Sequence, residues 1–350
     1  MRKIGVCGHF GGKCEFLDGQ TVKTKIITNE LKKQLSDGEV LTVDTYGGLR
    51  RIFAQLGGLL GLLKHCEHVM IFPSHNGLRV FAPFLALFNM FFRRKLHYIV
   101  IGGWLPEFAA GRKYLTVSLK KFDRIYVETT AMKRALEQQG YENVVLMPNC
   151  KNLRILTEDE LPAAFAAPYP LCTFSRVMRE KGIEDAVSAV KAVNGGHGKT
   201  VFTLDIYGQV DAAQTAWFES LQKQFPAEIR YCGAVPFDKS VEVLKDYFAL
   251  LFPTRFFTEG IPGTMIDAYA AGVPVISSRW KNFDDIVEDG VVGKGYPFGD
   301  AEGLIPVLNE AVENPAYFLQ MKTNCIEKAG MFSASRVVGD ILVGGTLSKM

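Results

Sequence analysis

TRFFTEGIPGTMIDAYAAGVPVISS, residues 254–278, decides how this chain is read. A carboxylate, Glu259, stands just before Gly260, Ile261, Pro262 and Gly263, and Thr264 follows. Small residues come next, broken only by Asp267, and then a short apolar strand begins. The apolar run ALLFP precedes the segment, so the chain leaves a strand, turns, and enters a helix near residues 262–264. Asp267 then lies in the second turn of that helix. Strand–loop–helix passages of this kind build open parallel α/β sheets, and ligands bind where such loops leave the carboxyl ends of the strands.

A helix opened by Gly260 and Gly263 offers unpaired backbone N–H groups at close approach and the positive end of a dipole, a seat for phosphate. Glu259 and Asp267 are acceptor-only groups on either side of that seat. Together they suit a molecule with hydroxyls at both ends and phosphate between, which is the shape of a nucleotide-sugar. The alternative is a capping role for Glu259 and a surface position for Asp267.

Working outward, strands PLCTFS, FTLDIYG and IRYCG and helix IEDAVSAVKAV complete a second α/β series. Ile183, Ala186, Val187, Val190 and Val193 keep helical spacing. The loop SRVMREKG places Arg176 and Lys181 after a strand. A planar guanidinium and a point-charge ammonium there can neutralise a departing diphosphate without a metal. Arg179 and Glu180 read as a solvated pair. The first α/β series holds strands KIGVCG, VLTVDTY, HVMIFPS, LHYIVIGG and RIYVET with helical patterns between them. Its glycine-rich loop, GHFGGKCEFLDGQ, has neither the Gly-Lys-Ser/Thr ending of a P-loop nor a clean Gly-x-Gly-x-x-Gly. Gly19 and Gln20, just ahead of a helix, are its best phosphate contacts. The dipeptide-spaced histidines of HCEH, residues 65–68, read as a half-exposed helix end and not a metal site. The Ala- and Pro-rich stretch 158–170 reads as a linker. The expected domains are 1–160 and 161–335, with a cleft between them, and a tail at 336–350 that packs back on the first.

The bulk numbers fit a folded two-domain protein of 350 residues. Seven cysteines, odd in number and never in a Cys-x-x-Cys pair, point to reduced thiols in the cytoplasm. The N-terminus does not read as a signal peptide, and the longest apolar run, residues 80–92, falls short of a membrane span. Residues 1–150 hold 21 Lys and Arg against 12 Asp and Glu, whereas the remainder holds 19 against 25. The basic half either faces an anionic partner or is simply a solvated basic surface. No nucleic-acid motif accompanies it, so no nucleic-acid partner is expected.

Taken together, SRVMREKG, DIYG, CGAVP, PTRFFTEGIPGTMIDAYAAGVPVISS and IVEDGVVGKGYPFGD, with LMPN before them, resemble glycosyltransferase family 4. These are retaining, metal-independent transferases of polysaccharide-biosynthesis type with the GT-B fold, two Rossmann-like doubly wound domains facing a cleft. The resemblance covers residues 145–330 well and the first half weakly. It implies that Glu259 binds hydroxyls of the donor sugar and that residues 260–264 hold sugar and phosphates. Asp267, where the family usually has Glu, would serve the ribose, and Arg176 and Lys181 the diphosphate. Gly208 and Gly19 would line the donor site, and backbone at Val235 would read the base. His75, Trp104 and Glu107 are the acceptor-side candidates. No cofactor and no metal are implied, since the nucleotide-sugar is a substrate.

The implied partners are a nucleotide-sugar and a glycan or polyprenyl-diphosphate-linked acceptor at the inner face of the cytoplasmic membrane, in capsule or related surface polysaccharide synthesis. The runs LGGLLGLLKH and FFRRKLHY suit an anionic membrane, or else are buried core helices. A nucleotide-sugar epimerase of the same fold, or a non-catalytic relative that scaffolds a partner transferase, are the competing readings.

Overall fold

The computed structural model describes residues 2–12, 19–35 and 37–342. Much of the glycine-rich loop, Cys14 included, and the tail beyond residue 342 lie outside the described residues. The chain divides into two compact units, Met1–Asn152 with Phe332–Met350, and Leu153–Met331. Each is built on a six-stranded sheet.

In the first unit the strands are β1 (Arg2–Gly8), β2 (Val40–Asp44), β3 (Cys66–Ile71), β4 (Lys95–Ile99), β5 (Arg124–Val127) and β6 (Val144–Leu146). They lie in the order β2-β1-β3-β4-β5-β6, every pair parallel. Both faces of the inner strands are covered, so β3 and β4 are buried almost throughout, whereas the edge strand β2 exposes Thr42 and Asp44. The pleat still sorts them. Leu96 and Tyr98 of β4 join the layer under helices Ile52–His65 and His75–Phe92, while Ile99 joins the layer under helices Gly19–Leu35 and Ala334–Ile341. The last helix is tied to Gly19–Leu35 by Gln34, whose amide donates to the Ser335 carbonyl at 3.1 Å.

The second unit holds β7 (Tyr169–Phe174), β8 (Phe202–Tyr207), β9 (Ile229–Gly233), β10 (Ala249–Phe252), β11 (Val275–Ser278) and β12 (Gly293–Tyr296). Their order is β12-β11-β10-β7-β8-β9, again all parallel. The chain runs outward from β7 to β9, then returns to start β10 on the other side of β7. That reversal opens a crevice at the carboxyl ends of β7 and β10, the place where doubly wound sheets bind ligands. In the first unit the equivalent reversal lies between β1 and β3.

Two strands were not expected and two local expectations are corrected. Strands β6 and β12 escape a reading by apolar runs, because three residues of one and the Gly-Lys-Gly of the other carry too little pattern. The histidines of HCEH do not share a helix end: His65 closes a helix, whereas His68 is a buried residue of β3. The stretch 158–170 is not a free connector. Phe165 packs edge-on against Phe248 with ring centroids 5.6 Å apart, and Tyr169 already begins β7.

Candidate functional site

Two loops meet at the crevice of the second unit. The loop after β7 carries a single 3-10 turn, Arg179–Lys181, closed by Gly182 at φ 70°. A Cβ at Gly182 would stand 1.8 Å from the Pro253 carbonyl oxygen, so only glycine lets this turn lie against the loop after β10. The Arg255 N–H donates to the Glu180 carbonyl at 2.8 Å and sews the two loops together. Farther on, the Arg255 guanidinium grips both carboxylate oxygens of Asp185.

Held in this way, Lys181 and Glu259 meet. The ammonium donates to Glu259 Oε2 at 2.7 Å, and both side chains are mostly buried, 15% and 19% exposed. Thr254 Oγ1 donates to the same oxygen at 3.3 Å. The Glu259 carbonyl accepts from Trp280 Nε1 at 3.1 Å and from the Asn282 amide. The acid is therefore fixed from side chain and backbone alike. The Lys181 ammonium also sits about equally far from two rings, 5.3 Å from the centroid of Phe252 and 5.2 Å from that of Phe256.

Immediately beyond Glu259, Gly260, Ile261 and Pro262 are buried, and helix Gly263–Ala270 begins with Pro262 as its N-cap residue. The first N–H groups of an α-helix have no partner within it, so Gly263 and Thr264 present donors beside the Lys181–Glu259 pair. Thr264 Oγ1 is buried and has no hydrogen-bond partner. Asp267 points inward on this helix and is buried. A surface position for it is thereby excluded.

The other candidates in this unit lie in the loops that follow β7, β8 and β9. Gly208, at φ 135°, lets the loop after β8 pass the Ser175 carbonyl, which a Cβ there would meet at 1.8 Å. Its carbonyl accepts from the Tyr231 hydroxyl at 2.8 Å. Arg176 is more exposed than Lys181 and lies 3.7 Å from Asp211. Val235 is half-buried in the loop after β9. Arg179 and Glu180 are not the mutual pair expected. Gln214 receives the Arg179 N–H at 2.8 Å and donates to the Glu180 carboxylate at 2.9 Å, while the Arg179 side chain pairs with Glu184. These contacts hold the turn that aims Lys181. The sequence reading missed Gln214, Thr254, Trp280 and Asn282, since single polar residues spread over three loops leave no spacing signal.

In the first unit, a pocket of about 270 Å³ opens at the ends of β1 and β3, with His9, Gln20, Ser74 and Asn76 among its lining residues. Gln20 donates to the Phe72 carbonyl at 3.0 Å. Gly19 starts the helix beside it, with open space where a Cβ would stand. His75 and Trp104 come together, their rings stacked at 3.8 Å with Phe108 edge-on at 4.9 Å from His75. Partial desolvation, then the charges of Arg79 and Arg112, pushes the His75 pKa below the ordinary imidazole value. Glu107 is exposed on the short helix Leu105–Ala109. A buried ion pair that no motif announced, Lys23 to Glu128 at 2.6 Å, lies at the ends of β4 and β5, where Lys23 also donates to the Val100 carbonyl.

Comparison with known proteins bears on the second unit and on the fold. Residues 169–314 match the family described as Glycosyl transferases group 1. The amylovoran biosynthesis glycosyltransferase AmsK of Erwinia amylovora is 26% identical over 154 residues, 43% of this chain and 37% of that protein. The chain thus covers little more than a third of that relative's length. Among solved structures, Anabaena HepE in complex with UDP superposes with a TM-score of 0.76 at 14% identity, covering 99% of this chain and 100% of the other. Sucrose-phosphate synthase from Thermosynechococcus elongatus gives 0.77 at 15% identity, covering 99% and 98%. The fold is that of the GT-B glycosyltransferases, two Rossmann-like domains, and the domain that carries Lys181 and Glu259 matches the group 1 glycosyl transferases.

Proposed function

We propose that this chain is a retaining glycosyltransferase, moving a sugar from a nucleotide-diphosphate-sugar to a hydroxyl of a glycan or lipid-linked acceptor in surface polysaccharide synthesis. The observation that carries the proposal is the Lys181–Glu259 pair beside the first turn of helix Gly263–Ala270. In the absence of ligand the two charges neutralise each other. A nucleotide-sugar offers each a better partner: diphosphate oxygens for the ammonium and the helix N–H groups, sugar hydroxyls for the carboxylate. Asp267 would serve the ribose, Gly208 and backbone at Val235 the nucleotide.

Lys181 and Arg176 then supply the positive charge that the departing diphosphate needs, so no metal is required. With Glu259 engaged by Lys181 and the sugar hydroxyls, the transfer needs no carboxylate nucleophile. In the mechanism we favour, the leaving phosphate itself receives the proton of the incoming hydroxyl on the same face of the sugar. The acceptor would lie against the His75–Trp104 stack, whose flat faces suit a sugar ring. We place this work at the cytoplasmic face of a membrane; among the described residues no helix is long and apolar enough to cross one. The UDP bound to HepE and the polysaccharide named for AmsK support the donor class and the setting.

The test is a panel of nucleotide-sugars and glycan or polyprenyl-diphosphate acceptors, with wild type and Glu259→Ala compared. Transfer with the anomeric configuration kept, at least a hundredfold weaker (about 2.7 kcal/mol or more) in the variant, is the expected outcome. Turnover without acceptor would make the protein an epimerase. Unchanged transfer by Glu259→Ala would remove the assignment of that acid.

A further inference from the structure

Helix His75–Phe92 turns Leu78, Phe81, Ala82, Leu85 and Ala86 to the core of the first unit. Its opposite side is apolar as well. Leu87, Met90 and Phe91 follow one another at helical spacing on the outer surface, Phe91 being 78% exposed. A helix on the surface of a globular domain ordinarily carries charged or polar groups there. Helix Lys113–Leu119, which packs against it, also carries exposed apolar side chains, Tyr114 and Val117. Phe53, 87% exposed, stands on helix Ile52–His65, which packs against the same central helix.

The charge around these side chains is mostly of one sign. Between residues 46 and 121 eleven Lys and Arg stand against two acids, Glu67 and Glu107. Lys64, Arg93, Lys113 and Lys120 lie exposed at the ends of the three helices. Arg93 closes its helix at φ 53°, a left-handed position where glycine is usual. The fold accepts that cost and gains a cation next to Phe91.

We propose that this face of the first unit docks on an anionic phospholipid bilayer. Leu87, Met90 and Phe91 would enter the interface, and the cations would lie over the phosphate layer. Bulky apolar groups set singly among unopposed cations match a fluid surface of diffuse negative charge. A second copy of this chain docking by the same face would set cations against cations. The inference deepens the membrane setting of the proposed function by naming the face that docks, and vesicle binding tests it whether or not sugar transfer is found.

Flotation of the full chain with vesicles tests it. Binding is expected to vesicles of phosphatidylglycerol and phosphatidylcholine, to be weaker by about tenfold or more on phosphatidylcholine alone, and to fall as salt rises. The double substitution Met90→Ser with Phe91→Ser should lower vesicle binding about tenfold or more, since both side chains lose their apolar transfer. Its unfolding midpoint should stay, because neither residue is part of the core. Arg93→Glu should weaken binding to the anionic vesicles alone. Equal binding to both vesicle types, or undiminished binding by the double variant, would overturn the proposal. So would a concentration-dependent dimer that the same substitutions dissolve, which would assign the face to a second copy of the chain.

Discussion

Lys23 shows how much a single buried charge decides. Its ammonium lies 2.6 Å from Glu128, both side chains being 3% exposed, and it donates to the Val100 carbonyl. The Gly102 N–H donates to the same carboxylate at 3.3 Å. Removing one partner of such a pair leaves the other charge in a medium that cannot solvate it. Lys23→Met should therefore cost about 3–5 kcal/mol of unfolding free energy, read by urea denaturation. Lys23→Met combined with Glu128→Leu should recover a good part of the loss, since an apolar pair does not leave a lone charge. A loss below about 1 kcal/mol in the single variant would show that water reaches the pair. Glu259 and Lys181 contrast with this pair: they are partly exposed and stand at a crevice where a ligand can replace either partner.

At the scale of elements, neighbouring strands of the first sheet carry a chain of three polar groups through an apolar layer. His68 on β3 lies 3.0 Å from His97 on β4, and the Tyr126 hydroxyl on β5 lies 3.5 Å from the other nitrogen of His97. A neutral His97 with its proton on Nε2 donates to His68 and accepts from Tyr126. Desolvation, with His68 a lesser cause, lowers the His97 pKa to about 3. The sign follows from linkage. The unfolded chain takes up a proton near pH 6.5 and the folded chain does not, so the stabilisation is full above that pH. It is lost progressively as pH falls from 6.5 toward 3. Unfolding free energy at pH 5 should lie on the order of 1–2 kcal/mol below that at pH 7, and His97→Phe should flatten the dependence. An equal slope in the variant would place the titration elsewhere.

At the scale of the molecule, the basic excess of the first half and the acidic excess of the second fall in units for which we propose different tasks. The second unit is where nucleotide binding is expected, and binding to the native state alone must raise its melting temperature. A nucleoside diphosphate at 100 times its dissociation constant stabilises by about 2.7 kcal/mol. Among UDP, GDP, ADP, CMP and dTDP, one diphosphate should raise the midpoint, equally with and without EDTA. A shift abolished by EDTA would contradict a metal-free site. No shift with any of them would return Glu259 to the role of a helix-end acid.

The strands β7, β8, β10 and β11 were legible from apolar runs of the right length between glycine and proline punctuation. Helix Ile183–His197 was legible from its period. Glu259, Lys181 and the helix start at Gly263 were legible because chemistry and chain direction coincide there: acid, glycine, proline, then small residues. Local sequence determines these features, since backbone propensity and side-chain spacing act over a few residues. Contacts across 78 positions, as between Lys181 and Glu259, depend on which strand returns beside which. So does the burial of His68, which a four-residue motif could not reveal, and the grip of Gln214, Trp280 and Asn282 on the two loops. Sequence alone determined the two α/β series and, in the second, the candidate carboxylate Glu259 and cation Lys181. Only tertiary structure decided that those charges meet, because the order β12-β11-β10-β7-β8-β9 is set by burial of both sheet faces and not by any local segment.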